Sequence, residues 1–100
     1  MKPTDREKDD AWIGDAILAL FARRYILAHA PTADRVKMFT HMTCNQFLSG
    51  IGEPTRVEAA IGRVYIEEGL EAAFAHIEAN LLPLFQKQWT RAANLRRTKG

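Results

Sequence analysis

The chain has 100 residues, of which 47% are hydrophobic and 26% are charged, and its net charge of +2 is too small to indicate a nucleic-acid partner. No apolar run approaches the roughly 18 to 20 residues that span a bilayer. The charged N-terminus has no apolar segment of the signal-peptide type. We therefore expect a cytoplasmic protein with one domain over residues 1–100, in which residues 1–8 and 90–100 form flexible ends.

Apolar residues recur at helical spacing along the chain, and no segment has the alternation typical of a strand. The first helix is predicted over residues 9–29. Its apolar stripe is expected to contain Ile13, Ile17, Leu20, Phe21 and Leu27. Thr32 is predicted to cap a second helix over residues 33–48, with a break near residues 43–45 as one alternative.

The second half of the sequence contains clear helix stop and start signals. Residues 49–52, which include two glycines, end the second helix, and Pro54 is typical of the first turn of a third helix. Gly69 is predicted to end that helix. A fourth helix is predicted over residues 70–97, kinked or split at Pro83. Four or five helices with short connections predict an all-α, compact helical bundle.

Two predicted helices each combine a glycine with a single acid on an apolar background. Gly14 precedes Asp15 in the first helix, and Glu58 lies four residues before Gly62 in the third. A glycine inside a helix usually marks close packing, and an acid on an apolar helix needs a partner or a metal ion. One interpretation is that the two helices cross closely and bring the two acids together, where two carboxylates with room for water suit Mg²⁺. The alternative is that each acid forms a salt bridge with a nearby arginine: Arg23, Arg24, Arg56 or Arg63.

The same two segments resemble the motifs of a known enzyme family. Residues 8–17 read K-D-D-A-W-I-G-D-A-I, and residues 55–62 read T-R-V-E-A-A-I-G. They are similar to the signature E-x-x-E-F-L-G-D-A/S-hydrophobic and to the second acidic motif D-x-x-E-A-hydrophobic-hydrophobic-G of the ribonuclease III catalytic domain. The resemblance extends over roughly residues 12–85 and is closest to the Mini-ribonuclease III branch, which lacks a separate RNA-binding domain.

The resemblance implies a magnesium-dependent endoribonuclease that cleaves double-stranded or structured RNA, of the type that processes ribosomal RNA. It implies that Asp15 and Glu58 are catalytic metal ligands and that the protein is a homodimer with Trp12 at the interface. Without the resemblance, Trp12 is more readily interpreted as a core residue. Two other functions stay open. One is a non-catalytic RNA- or ribosome-binding protein of the same fold, and the other is an unrelated helical dimerisation domain.

The sequence departs from the family pattern at three acidic positions and in its spacing. Lys8, Ala11 and Thr55 stand where the family has acids, although Mini-ribonuclease III also lacks the acid at the Ala11 position and has threonine-like residues before its second glutamate. Asp15 and Glu58 are 43 positions apart (58 minus 15), which is shorter than is usual in the family. The missing segment would carry additional helix and an RNA-contacting loop.

Two further features are a single cysteine and a basic C-terminal segment. Cys44 is expected to be a buried, inert thiol, although His41 lies three residues before it and could share its face. The C-terminal segment carries five basic residues and no acid: Lys87, Arg91, Arg96, Arg97 and Lys99. Such a segment either contacts phosphates or is simply solvated.

Overall fold

In the computed structural model, the described part of the chain forms six α-helices and one 3₁₀ turn. The structure describes the backbone of residues 2–30 and 32–99, and it describes the side chains of residues 2–30 and 32–92. Every regular element within these ranges is helical, as the sequence predicts. The elements are α1 (Asp5–His29), a 3₁₀ turn (Thr32–Asp34), α2 (Arg35–Thr43), α3 (Asn45–Ser49), α4 (Pro54–Glu68), α5 (Leu70–Asn80) and α6 (Leu82–Lys99). None of these helices is both long enough and apolar enough to cross a membrane.

Helix α1 begins four residues before its predicted start. Thr4 caps it: the threonine hydroxyl accepts a hydrogen bond from the Glu7 backbone N–H, and the Glu7 carboxylate accepts one from the Thr4 backbone N–H. This reciprocal arrangement satisfies two backbone donors that a bare helix end would leave unpaired. Residues 5–8, which we assigned to a flexible end, are therefore helical, and residues 90–99 continue α6.

The connection between α1 and α3 confirms one sequence prediction and contradicts another. The prediction that Thr32 caps a helix from Ala33 is wrong, because these residues form the 3₁₀ turn and α2 begins at Arg35. The predicted break is confirmed. Cys44 has extended backbone angles (φ −78°, ψ 155°) and separates α2 from α3.

Helix α4 begins and ends where its sequence signals predict. Pro54 is its first residue, and the Glu53 carboxylate accepts hydrogen bonds from the next two backbone N–H groups. Gly69 ends the helix with a φ of +95°, a conformation that side-chain-bearing residues rarely adopt. Pro83 lies in the first turn of α6, so the predicted fourth helix is split into α5 and α6.

The core lies between α1 and the helices packed around it. Helix α4 is the main packing partner of α1. The predicted apolar stripe of α1 is wrong in part: Ile17 and Phe21 are buried, but Ile13 and Leu20 are each 40% exposed and Leu27 is 64% exposed. The buried side of α1 also contains Ala11, Gly14, Leu18, Ala22 and Ile26. Small residues on this side let α4 approach closely, which leaves Ile13, Leu20 and Leu27 of the predicted stripe at the surface.

Candidate metal centre

The two glycines identified in the sequence lie at the closest approach of α1 and α4. A Cβ atom on Gly14 would overlap the backbone carbonyl of Glu58, and a Cβ on Gly62 would overlap the backbone carbonyl of Asp10. The obstructing atoms belong to backbone, so a side chain at either position would force the helices apart. The predicted close crossing of these helices is therefore confirmed.

The crossing brings the Asp15 and Glu58 carboxyl groups into hydrogen-bonding contact. Asp15 is exposed and Glu58 is half-buried. Burial is the largest of the causes that raise the pKa of Glu58 from 4.5 to about 8; the hydrogen bond to Asp15, the charge of Asp15 and the charge of Glu53 act in the same direction. At neutral pH the pair therefore holds a proton, because two carboxylates in contact resist being ionised together.

The salt-bridge alternative for these two acids is not what the structure shows. Within residues 2–30 and 32–92, the ion pairs involve neither Asp15 nor Glu58. They join Arg56 to Glu7 at 3.2 Å, Arg63 to Asp10 at 3.0 Å and Arg63 to Glu67 at 3.4 Å. The other two candidate arginines lie over aromatic rings, Arg23 over Phe39 and Arg24 over Phe74. Among the described residues, Asp15 and Glu58 thus contact each other and form no ion pair with an arginine.

Sequence reasoning missed the structural role of Asp10. It is 8% exposed, and its carboxylate accepts a hydrogen bond from the Arg63 guanidinium at 3.0 Å. Asp10 and Arg63 are 53 residues apart, so no local pattern could have paired them. This ion pair holds α1 to α4 at the same crossing as Gly62, because Arg63 is the next residue along α4. Asp10 is therefore a structural residue and takes no part in the acid pair.

An open cavity of about 510 Å³ surrounds the acid pair, and we call it the acid cavity. Three elements contribute to it: the first half of α1, the junction of α2 and α3, and the first turns of α4. Its described lining residues are Lys8, Ala11, Trp12, Asp15, Thr43, Asn45, Thr55 and Glu58. Lys8, Ala11 and Thr55 all line this cavity, and they stand at the three positions where the family that the motifs resemble has further acids.

The donor set of the acid cavity fits Mg²⁺. This ion is commonly held by one or two carboxylates and keeps several water molecules. Asp15 and Glu58 supply the carboxylates, and Thr43, Asn45 and Thr55 supply neutral oxygen atoms in the same cavity. Among the described residues, no group of three or more His, Cys, Asp or Glu side chains is placed to hold a metal ion. A metal here would therefore depend on the acid pair, neutral oxygens and water.

Trp12 lies at the rim of the acid cavity and is 80% exposed, so the alternative of an ordinary core tryptophan is wrong. Three more residues continue an apolar surface along α1. Ile13 and Leu20 are each 40% exposed, and Ala16 between them is also exposed. We call this exposed surface the α1 stripe; it differs from the predicted apolar stripe and consists of Trp12, Ile13, Ala16 and Leu20. A large exposed aromatic residue next to further apolar surface is typical of a protein interface.

Cys44 and the basic C-terminal segment do not extend this site. Cys44 is half-buried rather than buried, and its thiol donates a hydrogen bond to the His41 backbone carbonyl at 3.5 Å. The His41 ring Nε2 lies 2.7 Å from the Gln88 amide oxygen. In the basic segment, Lys87 and Arg91 are exposed, and the side chains of Arg96, Arg97 and Lys99 lie outside the described residues.

Comparisons of the chain with protein-family models, with curated proteins and with solved structures found no match. The interpretation of the acid cavity therefore depends on its own geometry and on the motif resemblance in the sequence.

Proposed function

We propose that the protein is a magnesium-dependent endoribonuclease that cleaves double-stranded or structured RNA as a homodimer. The observation that carries the proposal is the contact between the Asp15 and Glu58 carboxyl groups in an open cavity, with neither acid in an ion pair among the described residues. Two acids in contact repel each other when ionised, and a divalent cation between them removes that repulsion. The motif resemblance assigns these same two residues to metal binding.

The residues of the cavity have distinct roles in this proposal. Asp15 and Glu58 would hold the ion, and Glu58 would give up the proton that the pair holds at neutral pH. When bound, Mg²⁺ supplies a site that activates water for attack on a backbone phosphate and neutralises charge on the leaving oxygen. Thr43, Asn45 and Thr55 add neutral oxygens beside the carboxylates.

The α1 stripe supports the homodimer in the proposal. Trp12 belongs both to the stripe and to the rim of the acid cavity, so a second copy docked on the stripe would lie beside the site. A two-fold assembly would then carry two acid cavities, one for each strand of a duplex. Duplex RNA is recognised mainly by shape and phosphate contacts. The motif resemblance makes a structured ribosomal RNA precursor in the cytoplasm the proposed substrate.

The experiment that tests the proposal is cleavage of a labelled RNA duplex by the full chain, with Mg²⁺ and with EDTA. We expect cleavage that requires Mg²⁺ and that disappears in Asp15→Asn and Glu58→Gln. Asp9→Asn is the matched control, because Asp9 is an exposed acid on the same helix that does not line the cavity. Cleavage that persists in Asp15→Asn, or that survives EDTA, would contradict the proposal.

A second candidate function is a non-catalytic RNA- or ribosome-binding protein of the same fold. The observation that favours it is the replacement of three family acids by Lys8, Ala11 and Thr55 within the acid cavity, which leaves a reduced ligand set. The two functions differ in one result. A wild-type chain that binds duplex RNA in Mg²⁺ but leaves it intact would support this second candidate.

A further inference from the structure

We propose that Lys8 is a phosphate-binding residue of the acid cavity and holds the RNA backbone next to the Asp15–Glu58 pair. This inference rests on the proposed function. It concerns a position at which the resembling family has an acid, so the residue here carries the opposite charge.

Lys8 and Asp15 lie on one face of α1. They are seven residues apart, which is almost two full turns, so their side chains leave the helix in directions that differ by about 20°. At about 1.5 Å per residue, their Cα atoms are about 10 Å apart along the axis. Both side chains line the acid cavity, together with Ala11 and Trp12 from the turn between them. The space between Lys8 and Asp15 is thus part of the cavity.

Lys8 is exposed, and its ammonium group takes part in none of the ion pairs of the described residues. Its neighbour Glu7 is engaged instead with Arg56, at 3.2 Å. Lysine is a hydrated point charge with three donors on a flexible stem, which suits contact with a phosphate oxygen rather than recognition of a base.

With Mg²⁺ and an RNA phosphate bound, the acid cavity would need one further positive charge to be neutral. Two ionised carboxylates and one Mg²⁺ are together neutral, and the phosphodiester of RNA then adds one negative charge. Lys8 is the basic residue among the described lining residues, and it balances that charge. An acid at this position would attract a cation to the cavity, whereas lysine attracts the phosphate itself.

The experiment measures binding of a labelled RNA duplex by the full chain in EDTA, over a series of salt concentrations. The variants are Lys8→Gln and Lys8→Arg. Lys37→Gln is the matched control, since Lys37 is an exposed lysine of α2 that does not line the cavity. We expect Lys8→Gln to lower the slope of log affinity against log salt by about 1, and Lys8→Arg to keep the wild-type slope. With Mg²⁺, Lys8→Gln should lower kcat/KM about 10- to 100-fold.

The outcomes separate this inference from the function on which it rests. A wild-type chain that cleaves RNA while Lys8→Gln keeps its salt slope and its kcat/KM would overturn the role of Lys8 alone. A chain that binds RNA without cleaving it, and whose salt slope falls in Lys8→Gln but not in Lys37→Gln, would keep the phosphate contact and overturn the enzyme. A folded wild-type chain that neither binds nor cleaves duplex RNA would overturn both.

Discussion

Gly14 and Gly62 face each other where α1 crosses α4, and each leaves room for a backbone carbonyl of the opposite helix. The acid pair depends on this contact. Glu58 lies one turn before Gly62, and Asp15 directly follows Gly14, so any separation of the helices also separates the two carboxyl groups. The packing of two glycines thus determines the geometry of the candidate metal centre.

We therefore expect Gly14→Ala and Gly62→Ala to lower the free energy of unfolding by at least about 2 kcal/mol, because the new Cβ atom would overlap backbone that cannot move aside. In a helix without such a clash, the same change would stabilise the protein by roughly 0.5 to 1 kcal/mol. The sign of the effect is thus diagnostic. Chemical denaturation of each variant measures it.

Gly52→Ala is the control for these two variants. A Cβ on Gly52 would lie 3.4 Å from a Val57 methyl group, which is ordinary van der Waals contact. We expect it to leave stability nearly unchanged. A Gly14→Ala variant as stable as the wild type would contradict the close crossing of α1 and α4.

The glycines and acids could be predicted because each is locally out of place. A glycine inside a helix is unfavourable, and so is an acid on an apolar helix, so both indicate a tertiary reason that the helix alone does not contain. The predicted convergence of Asp15 and Glu58 is confirmed by their contact. Their role as metal ligands and the role of Trp12 in a dimer stay predictions.

The rotation of α1 could not be predicted from the sequence. Apolar residues occur on most sides of α1, so their periodicity does not identify the side that faces α4. The small residues Ala11 and Ala22 decide it, because they let the neighbouring helices approach and leave Ile13 and Leu20 at the surface. The Asp10–Arg63 ion pair could not be predicted either, because it joins residues from two helices that are far apart in the sequence.

Glu58 should make the stability of the protein depend on pH. Its pKa of about 8 in the folded chain lies above the ordinary value of 4.5, so between these values the folded chain binds more protons than the unfolded chain. The stability that Glu58 contributes is therefore fully present below about pH 4.5 and is lost as the pH rises through about 8. Relative to Glu58→Gln, the wild type should lose about 1 to 2 kcal/mol over this window, after allowance for solvent screening of a half-buried group.

The measurement is chemical denaturation of both proteins from about pH 5 to about pH 8.5, in EDTA. Taking the difference between them removes the contribution of the other titrating groups. Glu68→Gln, an exposed glutamate at the end of the same helix, should retain the wild-type dependence. A wild-type chain whose stability relative to Glu58→Gln is constant over this range would show that the two carboxyl groups do not share a proton.

Binding of Mg²⁺ should release a proton from the acid pair. Near pH 7 the Glu58 carboxyl is largely protonated, since its pKa is about 8, whereas a metal ligand must be ionised. We expect about one proton per ion bound, measured by calorimetry in two buffers that differ in ionisation enthalpy. Asp15→Asn should abolish this release. Ion binding without proton release would place the ion elsewhere on the protein.

Thr55→Asp should strengthen metal binding. Thr55 lines the acid cavity in the first turn of α4, at the position where the resembling family has an aspartate. A third carboxylate adds charge to the ligand set, and an acid there is also favourable near the N-terminus of a helix. We expect the affinity for Mg²⁺ to rise about tenfold or more. Thr90→Asp is the control, because it adds the same charge at an exposed position of α6 and should leave the metal affinity unchanged. Equal metal affinities for the two variants would contradict a metal site beside Thr55.

Trp12→Ser should dissociate the proposed homodimer without unfolding the chain. The side chain is 80% exposed in the single chain, so its removal takes little from the core, whereas an interface anchor is typically worth about 2 kcal/mol or more. That loss corresponds to an approximately 30-fold or greater rise in the dimer dissociation constant, measured by analytical ultracentrifugation. Trp89→Phe is the control, because Trp89 packs against the core on α6 and should affect stability rather than assembly. A wild-type chain that sediments as a monomer at all accessible concentrations, or a Trp12→Ser chain that stays dimeric, would contradict the interface.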